Sequence, residues 1–216
     1  MLNKFEKVKE ILRIESAAID RAAANLDSTN VTLALELLEN CAGKVIVCGV
    51  GKSGVIAQKI AQTMASTGTV AVFVNPSDAL HGGLGVVAAD DVVIGLSNSG
   101  ETDELLAILP TLRQRGVKII AIVGNDSSTL ARQADVVLDA SVDKEACPLN
   151  LAPTASTTVA LAIGDAIAMA LMEVKGLTPE DFAANHPAGR IGKRLTLTVN
   201  DLMHEANSGF LLLIGQ

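Results

Sequence analysis

Ser97-Asn98-Ser99-Gly100-Glu101-Thr102 follows the apolar run 91–96 and leads into a helix-like segment, 103–115. Three hydroxyls and a glycine therefore stand where a strand ends and a helix begins. A helix N-terminus presents free backbone N–H groups and the positive end of the peptide dipole, which suits an anion such as phosphate. The hydroxyls of Ser97, Ser99 and Thr102 add donors without adding charge. Taken alone, the turn also reads as an ordinary strand-to-helix junction with Ser/Thr caps. A second turn, Gly49-Val50-Gly51-Lys52-Ser53-Gly54, follows the short strand Val45-Ile46-Val47-Cys48 and opens a helix over about 53–66.

Outward from these two turns, the same alternation predicts strands at 70–74, 92–96, 119–123 and 136–138, most of them separated by helical segments. That pattern implies an α/β fold, a parallel sheet flanked by helices on both faces in a Rossmann-like three-layer sandwich. Two helices precede it. One, over 4–26, carries Ile11, Leu12, Ile14, Ala17 and Ile19 at helical spacing; the next starts at the Ser28-Thr29-Asn30 cap region. A long apolar helix follows over 154–174, and Thr178-Pro179-Glu180-Asp181 opens a short one that ends near 185–189. In such sheets ligands sit at the carboxyl ends of strands, near the switch in strand order. Both glycine and hydroxyl turns fall at strand ends.

The chain has 216 residues, enough for one sizeable α/β domain. Hydrophobic content of 49% and a mean hydropathy of +0.40 imply either a large core or apolar surface buried between subunits, and a homo-oligomer is expected. Aromatics make up 2%, without Trp or Tyr, and the net charge is −7. Both argue against a nucleic-acid partner that stacks bases on rings or neutralises phosphates along a backbone. Neither excludes a phosphorylated small molecule. Cys41, Cys48 and Cys147 are odd in number and lack metal-ligand spacing, so they read as reduced thiols of a cytoplasmic protein with no bound metal. The charged N-terminus lacks the apolar core of a signal peptide. The run 159–172 is interrupted by Asp165 and reads as a buried helix that falls short of a membrane span.

The Gly49 turn matches G-x-G-x-x-G, but a dinucleotide site wants an acidic residue after the next strand, and Asn75-Pro76 stands there. Nor is it a P-loop, since Ile46 occupies the place of the first glycine. The turn, with Gly51 and Ser53, instead approaches a ligand backbone-first. Lys52 at a helix start is disfavoured by the dipole, which favours an anionic partner for it over simple solvation. His81 lies among glycines in Ser77-Asp78-Ala79-Leu80-His81-Gly82-Gly83-Leu84-Gly85. Glu104 sits on the first turn of the helix after the serine motif, where acidic residues are common as dipole partners. Glu145 and His186 are unremarkable singly.

Taken together, GVGKSG, ALHGGLG, SNSGET, the EACPLNLAPTAST stretch at 145–157 and NHPAGRIGKRL at 185–195 resemble the sugar-isomerase (SIS) domain, and more narrowly the D-arabinose 5-phosphate isomerases. The resemblance runs in order along nearly the whole chain. It implies reversible isomerisation of D-arabinose 5-phosphate and D-ribulose 5-phosphate, feeding 3-deoxy-D-manno-octulosonate for lipopolysaccharide or capsule. Family positions match at Lys52, His81, Glu104, Glu145 and His186, and the phosphate and sugar turns at Gly51, Ser53, Ser97, Ser99 and Thr102. Moving a carbonyl from C1 to C2 means removing a carbon-bound proton, stabilising a cis-enediol and returning a proton next door. A carboxylate base with a raised pKa, a histidine and a nearby cation meet those demands. Under the resemblance, Glu145 is the carbon base, with Glu104 open as the alternative. His186 opens the ring, Lys52 stabilises the enediolate or bridges to phosphate, and Glu104 and His81 orient hydroxyls and relay protons.

The resemblance also implies a tetramer with active sites shared between subunits, and acid/base catalysis without a cofactor. One SIS domain with its N-terminal helices is expected over 1–198, and a tail over 199–216. Many members continue after a segment like Val199-Asn200-Asp201-Leu202-Met203-His204 into two CBS modules, so this chain reads as the form without them, either a natural short form or an excised catalytic domain. Competing readings are a SIS isomerase of another sugar phosphate, a non-catalytic sugar-phosphate sensor, and a dinucleotide enzyme resting on G-x-G-x-x-G alone.

Overall fold

Alternate side chains along each strand must point to opposite faces of a sheet, so a buried, uniformly apolar strand needs cover on both sides. The structure, a computed structural model that describes residues 3–187, builds this arrangement. Strands β1 (Val45–Gly49), β2 (Ala71–Val74), β3 (Val92–Ser97), β4 (Lys118–Val123) and β5 (Val136–Asp139) pair in parallel in the order β2-β1-β3-β4-β5. Each predicted strand is found to within about a residue. Val45, Val47, Ile94, Leu96, Ile120 and Ile122 point to one face and Ile46, Cys48, Val93, Ile119, Ala121 and Val123 to the other.

The first face is covered by α1 (Lys4–Asn25), α2 (Ser28–Glu39), α3 (Gly51–Ser66) and α7 (Ala155–Val174), with Leu38, Ile60, Met64, Val159 and Leu171 at its centre. The second is covered by α4 (Pro76–Ala79), α5 (Asp103–Gln114) and α6 (Thr129–Gln133), through Leu105, Ile108, Leu109, Leu112 and Leu130. The short α4 and α6 and a 3-10 turn over Gly83–Val86 are absent from the sequence expectation. Elements of four or five residues are too brief to show a period of 3.6.

Two close approaches fix the first layer. At Gly164 of α7 a Cβ would lie 2.2 Å from the Ile60 Cδ1 of α3, so the helices meet with almost no gap. Beside it, Lys59 Nζ donates to both Asp165 oxygens, at 2.6 and 2.5 Å. The expectation that this stretch falls short of a membrane span is corrected. Helix α7 has 20 residues with a mean hydropathy of 1.6, long and apolar enough by composition to cross a membrane. Here that apolarity is used within the fold, against α1, α2, α3 and the sheet.

Residues through Gly176 form one compact unit, and α8 (Pro179–Ala184) with its flanks belongs to a second that begins at Leu177. A full capping box opens α8: Thr178 Oγ1 accepts from Asp181 N–H while the Asp181 carboxylate accepts from Thr178 N–H. Residues 188–195 of the NHPAGRIGKRL motif and the tail at 199–216 lie outside the described residues.

Candidate active site

With the order β2-β1-β3, the chain reverses direction across the sheet between β1 and β3, so their carboxyl ends flank the switch point. Gly49 pairs with Leu96, which sets the two singled-out turns side by side. Backbone packing explains the glycines of the first turn. A Cβ on Gly49 would meet the Ser53 carbonyl at 2.7 Å, one on Gly54 would meet the Gly49 carbonyl at 2.7 Å, and Gly51 has φ +59. Strand and helix thus run backbone against backbone, with no dinucleotide required.

Helix N-termini leave N–H groups that a side chain usually satisfies. Asn3, Asp27, Asn75, Ser128 and Thr178 do so for α1, α2, α4, α6 and α8. At the switch point the pattern breaks: Val50 before α3 and Thr102 before α5 make no capping bond. The open positive ends of two helices converge there with Lys52, which is exposed and has no ion-pair partner among the described residues.

The serine turn is rigid. Ser97 is buried; its Oγ accepts Gly100 N–H at 3.0 Å and lies 2.8 Å from Thr102 Oγ1. Gly100, at φ +67, packs so closely that a Cβ would fall 1.9 Å from Ser128 Oγ. Its carbonyl accepts Leu130 N–H at 3.1 Å, and the Asn98 carbonyl accepts Gly124 N–H at 3.0 Å. Glu101 belongs to this scaffold. It accepts Thr129 N–H at 2.7 Å, and bonds from Thr129, with the nearby Arg132 charge, hold its carboxyl below the usual glutamate range. Ser99 Oγ accepts Glu101 N–H at 3.2 Å and is otherwise exposed.

Ser53, Ser97, Asn98, Gly124, Ser156 and Thr157 line a cleft at this end of the sheet. A larger cavity of about 350 Å³, lined by Leu33, Glu36, Asn40, Asp90 and Lys118, lies at the opposite end where the strands begin. The cleft is the candidate site of the two, because Ser53 and Ser97 of the two turns line it. Among the described residues no group of three or more His, Cys, Asp or Glu side chains is placed to hold a metal ion.

Glu145 meets one residue of this lining, Ser156, through a contact the sequence did not show. Its carboxylate sits over the start of α7. Oε2 accepts Thr154 N–H and Thr154 Oγ1–H at 2.8 and 2.9 Å and Ser156 N–H at 3.2 Å, and Oε1 accepts the Ser156 hydroxyl. The loop behind it is pinned by Asn150, at φ 52, whose Oδ1 accepts Glu145 N–H at 2.7 Å. Partial burial pushes the Glu145 pKa up, but the bonds from Ser156 and Thr154 outweigh it, and the net shift is downward. The expectation of a raised pKa at Glu145 is corrected: four donors and a helix terminus stabilise its charged form. Thr154 and Ser156 were missed by the sequence reading, although polar residues at the mouth of a long apolar helix were the available signal.

Glu104, on the first turn of α5, is half-buried with no hydrogen-bond partner among the described residues. His81 is exposed on the β2–β3 connection beside Gly82, whose φ is +107. His186 belongs to the second compact unit. There it stacks on Phe182, with ring centroids 4.1 Å apart and planes 21° from parallel, and its Nδ1 lies 2.7 Å from the Phe182 carbonyl oxygen.

The fold and these turns define a doubly wound α/β domain whose switch point presents two helix N-termini without capping side chains. The SIS domain family model matches residues 38–170, and the chain belongs to that family. It is 49% identical over 203 residues to arabinose 5-phosphate isomerase KdsD of Pseudomonas aeruginosa and 52% over 199 residues to KdsD of Escherichia coli K12. Those matches take in 94% and 91% of this chain but 62% and 60% of the relatives' length. A protein of E. coli CFT073 solved in complex with arabinose 5-phosphate superposes with a TM-score of 0.83 at 43% identity, over 87% of this chain and 100% of that one.

Proposed function

We propose that this chain isomerises D-arabinose 5-phosphate and D-ribulose 5-phosphate through a cis-enediolate, for the supply of 3-deoxy-D-manno-octulosonate. One observation carries the reading: two helix N-termini without capping side chains, one with Lys52 on its first turn, open at the ends of adjacent strands beside a cleft lined by Ser53 and Ser97. The similarity to enzymes named for this reaction supports the same substrate. Ser53, Ser97, Ser99 and Thr102, with the N–H groups beyond Gly51, take the phosphate. Lys52 faces the negative charge that develops on the enediolate oxygen, where a fixed cation lowers the barrier most.

Between the two carboxylates, Glu104 is the carbon base in this reading. It is half-buried and has no partner among the described residues, whereas Glu145 already accepts four hydrogen bonds. Glu145 holds the α7 terminus at the edge of the sugar site. His81 relays protons between hydroxyls, and His186 opens the furanose ring. The chain acts as a homo-oligomer, a tetramer with shared sites. Exposed Phe5, Val8, Leu12 and Ile19, at helical spacing on α1, support association through that helix. A cytoplasmic location follows from the same reading.

The test is turnover of D-arabinose 5-phosphate, with wash-in of solvent deuterium at C2. Glu104→Gln is expected to abolish exchange and Glu145→Gln to retain it. A Glu104→Gln enzyme that exchanges at the original rate overturns the base assignment. Failure of the unaltered, folded protein to convert the sugar overturns the function.

A further inference from the structure

A histidine that passes protons needs one ring nitrogen committed and the other free, and which is which is set by the bond the committed nitrogen makes. His186 follows α8 by two residues, so the last turn of the helix has carbonyls without helical N–H partners beside it. Phe182 and His186 are four residues apart, the spacing that brings side chains over one another at a helix end. The Phe182 carbonyl is a pure acceptor, so the imidazole nitrogen 2.7 Å away must donate to it. That commits Nδ1 as the N–H and leaves Nε2 with a free lone pair. A hydrogen bond alone lets the ring swing about it. The nearly parallel Phe182 ring at 4.1 Å removes that freedom.

We propose that Phe182 is a positioning residue: its ring and carbonyl together lock His186 in the Nδ1–H tautomer and present Nε2 for proton transfer. This rests on the reading of His186 as the ring-opening acid/base above. The arrangement inverts the preference of free histidine, which carries its proton mainly on Nε2. In the locked form Nε2 takes the anomeric hydroxyl proton as the ring C–O bond breaks. The imidazolium so formed returns a proton to the ring oxygen. No proton is gained or lost overall, and the same nitrogen serves both steps.

The experiment uses the full chain, labelled with ¹⁵N-histidine and observed at a pH where imidazole is neutral, with His186→Gln assigning the resonances. The unaltered protein is expected to show His186 protonated at Nδ1. Phe182→Leu keeps the carbonyl and removes the ring; it is expected to give a mixture of tautomers and to lower kcat about tenfold, with KM within about twofold. Phe182→Tyr keeps the stack and is expected to restore both signals. A His186 resonance protonated at Nε2 in the unaltered protein overturns the proposal. So does a Phe182→Leu variant, folded by its thermal melt, in which either the tautomer or kcat is unchanged. If His186→Ala itself leaves turnover intact, it is the catalytic reading that fails, and the tautomer measurement still decides the lock.

Discussion

Replacing Glu145 by Gln isolates the charge at the start of α7 while keeping the side chain's shape. The amide oxygen can take the place of Oε2 and keep the bonds from Thr154 N–H, Thr154 Oγ1–H and Ser156 N–H. The amide nitrogen then faces Ser156 Oγ, which turns from donor to acceptor. The Ser156 hydroxyl proton gives up its Glu145 acceptor in that exchange, and the larger loss is the charge. Hydrogen bonds to a charged group contribute about 1.5–3 kcal/mol against about 0.5–1.5 for neutral ones. A carboxylate at a partly buried helix N-terminus adds up to about 2 kcal/mol. Together these give a loss of about 2–3 kcal/mol, since the two effects share one electrostatic origin. For a chain of this length that is a fall in Tm of about 4–12 °C.

The pH dependence sharpens the test. Glu145 has its folded-state pKa lowered, so its contribution is fully present above the ordinary glutamate value and is lost as pH falls through the lowered one. Calorimetric melts of both proteins from neutral to acid pH should therefore start apart and converge. A Tm at neutral pH within about 1 °C of the unaltered protein, or a gap that stays constant into acid, would refute the capping argument.

Two further outcomes test the scaffold, one beside the site and one at the opposite end of the sheet. Gly100→Ala puts a methyl 1.9 Å from Ser128 Oγ at a φ of +67, so a loss of more than about 2 kcal/mol and a raised KM for the sugar phosphate are expected; Ser128→Gly in the same chain should restore part of each, as urea melts and kinetics would register. Asp91, 2% exposed, accepts Lys44 N–H and Nζ–H and Ala88 N–H at 2.9, 2.8 and 2.7 Å. Burial raises its pKa but these bonds outweigh it, so its stabilisation is present at neutral pH and lost in acid as pH falls through the lowered value. Asp91→Asn turns an amide toward donors and should cost about 2–3 kcal/mol in urea unfolding at pH 7; a midpoint within error of the unaltered protein would count against it.

By itself, the sequence determined the layer architecture. Parallel, doubly covered strands are written as short apolar runs separated by helices, and local periodicity carries that information without reference to distant residues. It also marked the two turns at the ends of β1 and β3, because their glycines and hydroxyls interrupt the apolar runs of the strands. Folding alone decided which residues meet. Strand order is a choice among long-range pairings, and the order β2-β1-β3-β4-β5 places the Gly49 and Ser97 turns side by side. The occupation of Glu145 by Thr154 and Ser156 cannot be read from spacing, since this carboxylate's pKa is set by donors that reach it through space. The Gly100 crowding against Ser128 is likewise a contact across 28 residues of chain, visible only once β3 and β4 are paired.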